Sequence, residues 1–154
     1  MSSTTAPSGW VEGRTHFFPV RVYFEDTDAG GVVYHATYLR YAERARTEFL
    51  RACGVPHQEL MAVQGLVFVV RSVLVEYLRP ARLDDSLLVA SRVRELGGAS
   101  VTLDQRVLAG VITVARMRIG LVATDLSAGR PRRIPARWRE ALAPLPEGEQ
   151  DAGG

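Results

Sequence analysis

The segment RVYFEDTDAGGVVYH, residues 21–35, is the stretch of this sequence that decides the fold. It closes an apolar, β-branched run, gathers three carboxylates and two glycines in a turn, and stands directly before a long amphipathic stretch. The first N–H groups of a helix have no partner inside the helix, and they attract negative charge. A carboxylate delivered to such a helix start therefore indicates chemistry at this point of the chain.

The stretch after the turn predicts one long helix over residues 36–53. Its apolar residues recur at spacings of three and four, which is typical of a helix with one buried face. Gly54 and Pro56 are placed to end this helix, and a short helical segment is predicted over residues 56–63. The apolar stripe consists of Tyr38, Ala42, Ala45, Phe49 and Ala52.

The remaining segments predict strands. One strand, residues 17–24, precedes the helix, and four follow it at 66–78, 87–96, 101–109 and 111–124. Consecutive strands joined by short links imply an antiparallel sheet. A helix with a single apolar stripe must bury that stripe against the sheet. The sequence therefore predicts an α+β fold, and apolar residues on the other face of the sheet indicate an oligomer.

The length and composition of the chain limit the possible domain organisation. We expect a flexible tail at residues 1–15, one domain at 16–143 and a second flexible tail at 144–154. All 19 basic residues are arginine, so every cationic contact is a guanidinium suited to phosphates and carboxylates. The formal net charge of +2 does not indicate nucleic acid. Cys53 is alone, and no secretory pattern or run of about 20 apolar residues is found, which predicts a cytoplasmic protein without a transmembrane segment.

The order of one strand, one helix and four strands resembles the hotdog fold, a five-stranded antiparallel sheet wrapped around one central helix. The signature residues resemble those of the 4-hydroxybenzoyl-CoA thioesterase family. The longer run RVYFEDTDAGGVVYHATYLRYAERARTEFLR is similar to the Tol–Pal-associated (YbgC-type) acyl-CoA thioesterase branch, as are residues 68–71, 75–77 and 80–85. The resemblance covers about residues 16–135, and its signature consists of Arg21-Val22, Thr27-Asp28, residues 31–33, His35 and Tyr38.

The resemblance implies an acyl-CoA thioesterase with its active site at a dimer interface and no cofactor beyond the CoA of the substrate. Asp28 matches the catalytic aspartate, which would attack the thioester or activate water, two alternatives that the sequence leaves open. The N–H of His35 would polarise the carbonyl, and its side chain is a second catalytic candidate. Glu25 and Asp26 are expected to support Asp28, and the spacing of these carboxylates predicts no metal site. The substrate-binding candidates are Gly30, Gly31, Tyr34 and Phe24, the last standing where relatives often carry a tyrosine.

A second set of residues is predicted to bind the CoA nucleotide and pantetheine. The basic stretch at residues 130–133 suits phosphates, although a solvated basic face is the alternative. The glycine-rich link at 97–100 would let pantetheine pass, although an ordinary hairpin loop is equally compatible. The candidates are Arg71, Arg82, Gly98, Ser100, Arg132 and Arg133.

Two other functions are compatible with the sequence. A hotdog dehydratase or hydratase would act on acyl thioesters with different acid–base residues. A non-enzymatic partner of acyl carrier protein or of lipid-synthesis enzymes would use the arginine-rich surface. No aromatic platform or nucleic-acid signature accompanies the arginines. We expect a homodimer or a homotetramer.

Overall fold

The central helix α1, Thr37–Ala52, packs against an antiparallel sheet of six strands in the computed structural model, which describes residues 4–54 and 56–143. Two shorter helices, α2 (His57–Gln64) and α3 (Ala136–Leu142), complete this part of the chain. The strand order is β1-β2-β4-β5-β6-β3, so β3 lies at an edge. The strands are β1 (Trp10–Glu12), β2 (Thr15–Arg21), β3 (Leu66–Tyr77), β4 (Ser86–Leu96), β5 (Ser100–Ala109) and β6 (Ile112–Asp125).

The α+β prediction is confirmed, with one strand more than the five expected. The extra strand, β1, lies inside the stretch predicted to be a flexible tail at residues 1–15. It pairs with β2 because Gly13, at φ +61°, closes a tight hairpin, and because Trp10 stacks on Phe17 with ring centroids 5.8 Å apart. Residues 1–3 and the predicted tail at 144–154 lie outside the described residues.

The first predicted strand, residues 17–24, is shorter than expected. β2 ends at Arg21, and residues Phe24–Asp26 form a short 3-10 helix instead. The Asp26 carboxylate causes this turn, since it accepts the Tyr23 N–H at 2.9 Å. The Thr27 hydroxyl also donates to the Phe24 carbonyl at 2.8 Å. Side chains that bond to nearby backbone compete with strand pairing, and here they win over the β propensity of the aromatic residues.

The buried face of α1 agrees with the predicted stripe except at its end. Ala52 is exposed, because it lies in the last turn of α1. There it lines a cavity together with Val11 and Leu142 instead of packing against the sheet. The buried face is also wider than the predicted stripe and includes a charged residue. Its members are Thr37, Tyr38, Tyr41, Ala42, Ala45, Arg46, Phe49 and Leu50.

A buried polar cluster joins α1 to the middle of the sheet. Gln105 of β5 is fully buried, and its amide donates to the Ala42 carbonyl and to the Ser91 hydroxyl, both at 2.9 Å. Its carbonyl accepts from the Arg46 guanidinium at 3.0 Å. Burial lowers the pKa of Arg46, and the nearby Glu43 carboxylate offsets part of that effect. The cluster fixes where α1 lies on the sheet, and therefore where the helix begins.

We expect Gln105→Met to lower the free energy of unfolding by about 3 kcal/mol, because it leaves the buried guanidinium without its acceptor. Urea unfolding followed by the fluorescence of buried Trp138 measures the change. Gln58→Met on exposed α2 is the matched control and should cost little. Adding Arg46→Met to Gln105→Met should restore part of the stability. Strictly additive costs for the two substitutions would contradict the coupling.

Candidate active site

Asp28 lies at the tip of a small hairpin that precedes α1. Its N–H donates to the Val32 carbonyl at 2.9 Å, its carbonyl accepts from Gly31 at 3.0 Å, and Thr27 bridges to Val33. Gly31 adopts φ +78°. Residues with a side chain rarely adopt this conformation, which explains the glycine at this position. The Asp28 carboxylate accepts the Gly30 N–H at 2.9 Å and remains exposed. The hairpin thus presents one oriented carboxylate to its surroundings.

Asp26 has the opposite environment. It is buried, its carboxylate accepts the Tyr23 N–H, and its carbonyl accepts the Tyr34 N–H at 2.9 Å. Burial, together with the adjacent Asp26 carboxylate, raises the pKa of Tyr41 in α1. Asp26 therefore anchors both strands of the hairpin from inside, whereas the Asp28 side chain is exposed. The structure in this way places the two neighbouring carboxylates in different environments.

The start of α1 is built from aromatic residues around His35. The Tyr77 hydroxyl at the end of β3 donates to the His35 carbonyl at 2.9 Å. The His35 ring lies 4.4 Å from the Tyr34 ring and 6.3 Å from the Tyr77 ring, measured between centroids. No acceptor within the described ranges takes the His35 N–H. That N–H is a donor of the kind that stabilises a developing oxyanion.

A cavity of about 290 Å³ opens beside this helix start. Tyr77 and Leu78, which border it, are exposed at the end of the edge strand. The Tyr38 hydroxyl at its floor accepts the Ala81 N–H at 3.2 Å, and burial raises the pKa of Tyr38. The lining residues are Val33, His35, Tyr38, Tyr77, Leu78, Arg79 and Pro80.

The structure places the predicted substrate-binding residues around this region without gathering all of them in the cavity. The Tyr34 ring packs at a tilt against the His35 ring, and Gly30 and Gly31 form the hairpin tip. Phe24 is 83% exposed on the 3-10 helix and is not among the residues that line the cavity. Across the described segments, no group of three or more His, Cys, Asp or Glu side chains is placed to hold a metal ion.

The predicted CoA ligands fall into separate places. Arg82 lies beside the hairpin, where it bridges to Val32, and Arg71 lies exposed at a bulge of β3. Gly98 lies in the turn between β4 and β5, and Ser100 is the first residue of β5. Arg133 reaches that turn from the segment after β6.

Arg132 has structural partners that the sequence did not reveal. It pairs with the Asp125 carboxylate at 3.0 Å and also donates to the Gln64 carbonyl. The Ser127 hydroxyl and the N–H groups of Ala128 and Ser127 lower the pKa of Asp125 to about 2, so this partner stays ionised. Arg132 therefore holds the chain after β6 against the end of α2. A role for the six candidates in binding CoA stays a prediction.

Sequence reasoning named Arg79 as a further candidate for contact with the CoA phosphates, but it did not assign a role to Tyr77. Tyr77 is 42 residues from His35 along the chain, and only the antiparallel pairing of β3 with β6 places its side chain against the helix start. The sequence does contain one signal for Tyr77, namely the alternation of side chains along β3. Val73, Val75 and Tyr77 share one face, so an aromatic residue is expected at the helix-facing end of that strand.

Helices in the described part of the chain are all too short or too polar to cross a membrane.

Comparison with known proteins agrees with this architecture. The family described as the thioesterase-like superfamily matches residues 22–142, so the chain belongs to that superfamily. A solved structure, a probable thioesterase from Bartonella henselae, superposes with a TM-score of 0.75 at 40% identity, covering 79% of this chain and 99% of that one. The family resemblance and the hotdog fold predicted from the sequence are both confirmed.

Within the superfamily, the chain is similar to curated acyl-CoA thioesterases. It is 43% identical over 125 residues to acyl-CoA thioesterase YbgC of Haemophilus influenzae, covering 81% of this chain and 92% of that protein. It is 45% identical over 119 residues to acyl-CoA thioester hydrolase YbgC of Escherichia coli, covering 77% and 88%. These relatives match the branch that the sequence resembles.

We expect Tyr77→Phe to lower kcat/KM for an acyl-CoA about fivefold, because the lost hydrogen bond to the His35 carbonyl is worth about 1 kcal/mol. Steady-state release of free CoA measures the change. Tyr23→Phe, which alters a ring that is 60% exposed, is the control and should leave kcat/KM within twofold. Equal rates for Tyr77→Phe and the unmodified chain would show that this contact does not position the helix start.

Proposed function

We propose that this chain hydrolyses acyl-CoA thioesters to a free acid and CoA, with Asp28 as the catalytic carboxylate. The observation that carries the proposal is the exposed Asp28 carboxylate, oriented by the Gly30 N–H in the hairpin that leads into α1. The superfamily and the curated acyl-CoA thioesterases among its relatives support the same substrate class.

The residues support two routes for the chemistry. Asp28 attacks the thioester carbon, the C–S bond breaks, CoA leaves as the thiolate, and water then hydrolyses the mixed anhydride. Alternatively, Asp28 takes a proton from a water molecule that attacks the same carbon. In either route the carbonyl oxygen becomes an oxyanion, which the His35 N–H would stabilise. Neither route requires a cofactor.

We also infer a homodimer, because the edge strand leaves part of the core face uncovered. Val70, Val73 and Tyr77 pair with the buried residues Leu121, Ile119 and Ala115, and paired residues point to the same face of a sheet. Even so, these three residues of β3 are 46%, 42% and 48% exposed. A second copy placed along β3 would cover them and satisfy the unpaired edge. It would also enclose the cavity that ends at Tyr77.

Other partners and locations stay predictions. The sequence also leads us to expect the six CoA-ligand candidates, a homotetramer, acyl carrier protein as a partner, association with a Tol–Pal system and a cytoplasmic location.

Incubation with a crotonyl thioester distinguishes a hydratase from a thioesterase. Loss of the conjugated absorbance with the thioester intact would indicate a hydratase. A stoichiometric complex with acyl carrier protein, without turnover of any thioester, would favour the non-enzymatic alternative.

We expect Asp28→Asn to lower kcat on the best acyl-CoA by roughly 10²–10⁴-fold, because the amide can neither attack nor accept a proton. The amide oxygen still accepts the Gly30 N–H, so the hairpin should keep its shape. Release of free CoA over a panel of aliphatic and aromatic acyl-CoAs gives both the rate and the preferred acyl group.

The matched control is Glu25→Gln, an exposed carboxylate in the same segment. It should leave kcat within a few-fold of the unmodified enzyme. Near-normal turnover by Asp28→Asn, or an equal loss in both variants, would contradict the assignment of Asp28.

We expect Val73→Asp to convert the dimer to a monomer and to abolish most thioesterase activity, because it places a charge in the predicted contact. Light scattering coupled to size exclusion measures the mass. Val111→Asp, at a turn residue that is 98% exposed, is the control and should remain dimeric and active. An unmodified chain that is monomeric and fully active would overturn the dimer.

A further inference from the structure

An arginine-lined groove of about 470 Å³ crosses the face of the sheet opposite α1. Gln105 points toward α1, since it bonds to Ala42, and side chains alternate along a strand. Its neighbours Asp104 and Arg106 therefore point to the other face. Four arginines and two carboxylates line this groove, namely Arg92, Arg106, Arg116, Arg118, Glu76 and Asp104.

The two carboxylates are already engaged. Glu76 accepts two hydrogen bonds from Arg116, both at 3.2 Å. Asp104 is shared between Arg94 at 3.1 Å and Arg118 at 3.4 Å. Arg92 and Arg106 have no carboxylate within ion-pair distance anywhere in residues 4–54 and 56–143. Both side chains are half-buried in the groove.

The strand register brings these positive charges together. Arg106 of β5 lies directly opposite Arg116 of β6, and Arg92 of β4 lies diagonally from Arg106. Like charges in opposite positions of one sheet face destabilise the sheet. A guanidinium cannot relieve this repulsion by losing its proton. An anion held between these side chains would offset the repulsion and supply acceptors.

We propose that this groove binds the diphosphate group of a small molecule, with Arg92 and Arg106 as its main ligands. The planar fork of a guanidinium matches two phosphate oxygens, and two adjacent forks match two linked phosphates. The groove is also large enough to admit more than the diphosphate. A free nucleotide and coenzyme A both present this group, so they are the two sources to be separated by experiment.

Two observations argue against a second copy of the chain as the occupant. The groove is concave, so two such faces placed together would enclose a void. Each face also carries more arginines than carboxylates, so their contact would add repulsion. The groove is distinct from the cavity at His35, since Tyr77 faces that cavity while its neighbour Glu76 faces the groove.

Titration calorimetry of the full chain with inorganic pyrophosphate tests this proposal. We expect saturable binding that weakens about tenfold or more in Arg92→Gln/Arg106→Gln, because two charge-assisted contacts are lost. Arg40→Gln/Arg44→Gln removes the same charge from the exposed side of α1 and should change the affinity less than twofold. Competition by ADP or by CoA then identifies the source of the diphosphate.

Arg92→Lys/Arg106→Lys keeps the charge without the planar fork, and should bind pyrophosphate more weakly than the unmodified chain but better than the glutamine variant. Thermal unfolding confirms that each variant is folded. Pyrophosphate is not a thioester, so its binding is measured separately from acyl-CoA hydrolysis, and a failure here is distinct from a failure of the proposed function.

No saturable binding at millimolar pyrophosphate would overturn the proposal, as would equal affinity in the groove and control variants. A tetramer that dissociates in Arg92→Gln/Arg106→Gln, with pyrophosphate affinity unchanged, would also overturn it and assign the groove to a second copy.

Discussion

The burial of one face of α1 against the curved sheet is the constraint on which the candidate site depends. Apolar burial supplies the driving force, and the Gln105 cluster sets the position, because its amide has partners on both α1 and β4. With α1 fixed, the residue before the helix, His35, has a fixed place as well. Tyr77 then reaches the His35 carbonyl from the edge of the sheet. A shift of α1 along the sheet would separate these two groups.

The hairpin before α1 divides its acidic residues by environment. Asp26 faces inward and uses its oxygens to close the turn, whereas Asp28 faces outward and keeps oxygens available. Two carboxylates that are two residues apart thus differ in burial and in chemistry. The close packing of the hairpin against Ala81 and Tyr41 maintains this difference. Thioester hydrolysis requires a preorganised carboxylate and a donor for the developing oxyanion.

The two faces of the sheet serve different purposes. Apart from the Gln105 cluster, the inner face is apolar. It packs against α1, except for the strip on β3 that a second copy would cover. The outer face carries the arginines, several of them in ion pairs across β3, β4, β5 and β6. Because the chain contains no lysine, each of these contacts uses a planar, permanently charged group. The alternation of side chains along each strand therefore separates the apolar face from the charged groove within the same four strands.

The sequence alone determined the order of the main elements and the long helix, and it predicts Asp28 as the leading carboxylate. Those features are local, since periodicity, turn residues and a contiguous motif report them directly. Tertiary structure decided what depends on distant pairing: the Tyr77 contact with His35, the burial of Arg46, the partners of Arg132 and the register that places Arg106 opposite Arg116. It also decided that β1 pairs with β2, and that β2 ends before Phe24. In each of these cases the local conformational preference of the chain competes with contacts between residues that are far apart in sequence. A sequence pattern does not show which distant residue will be the partner.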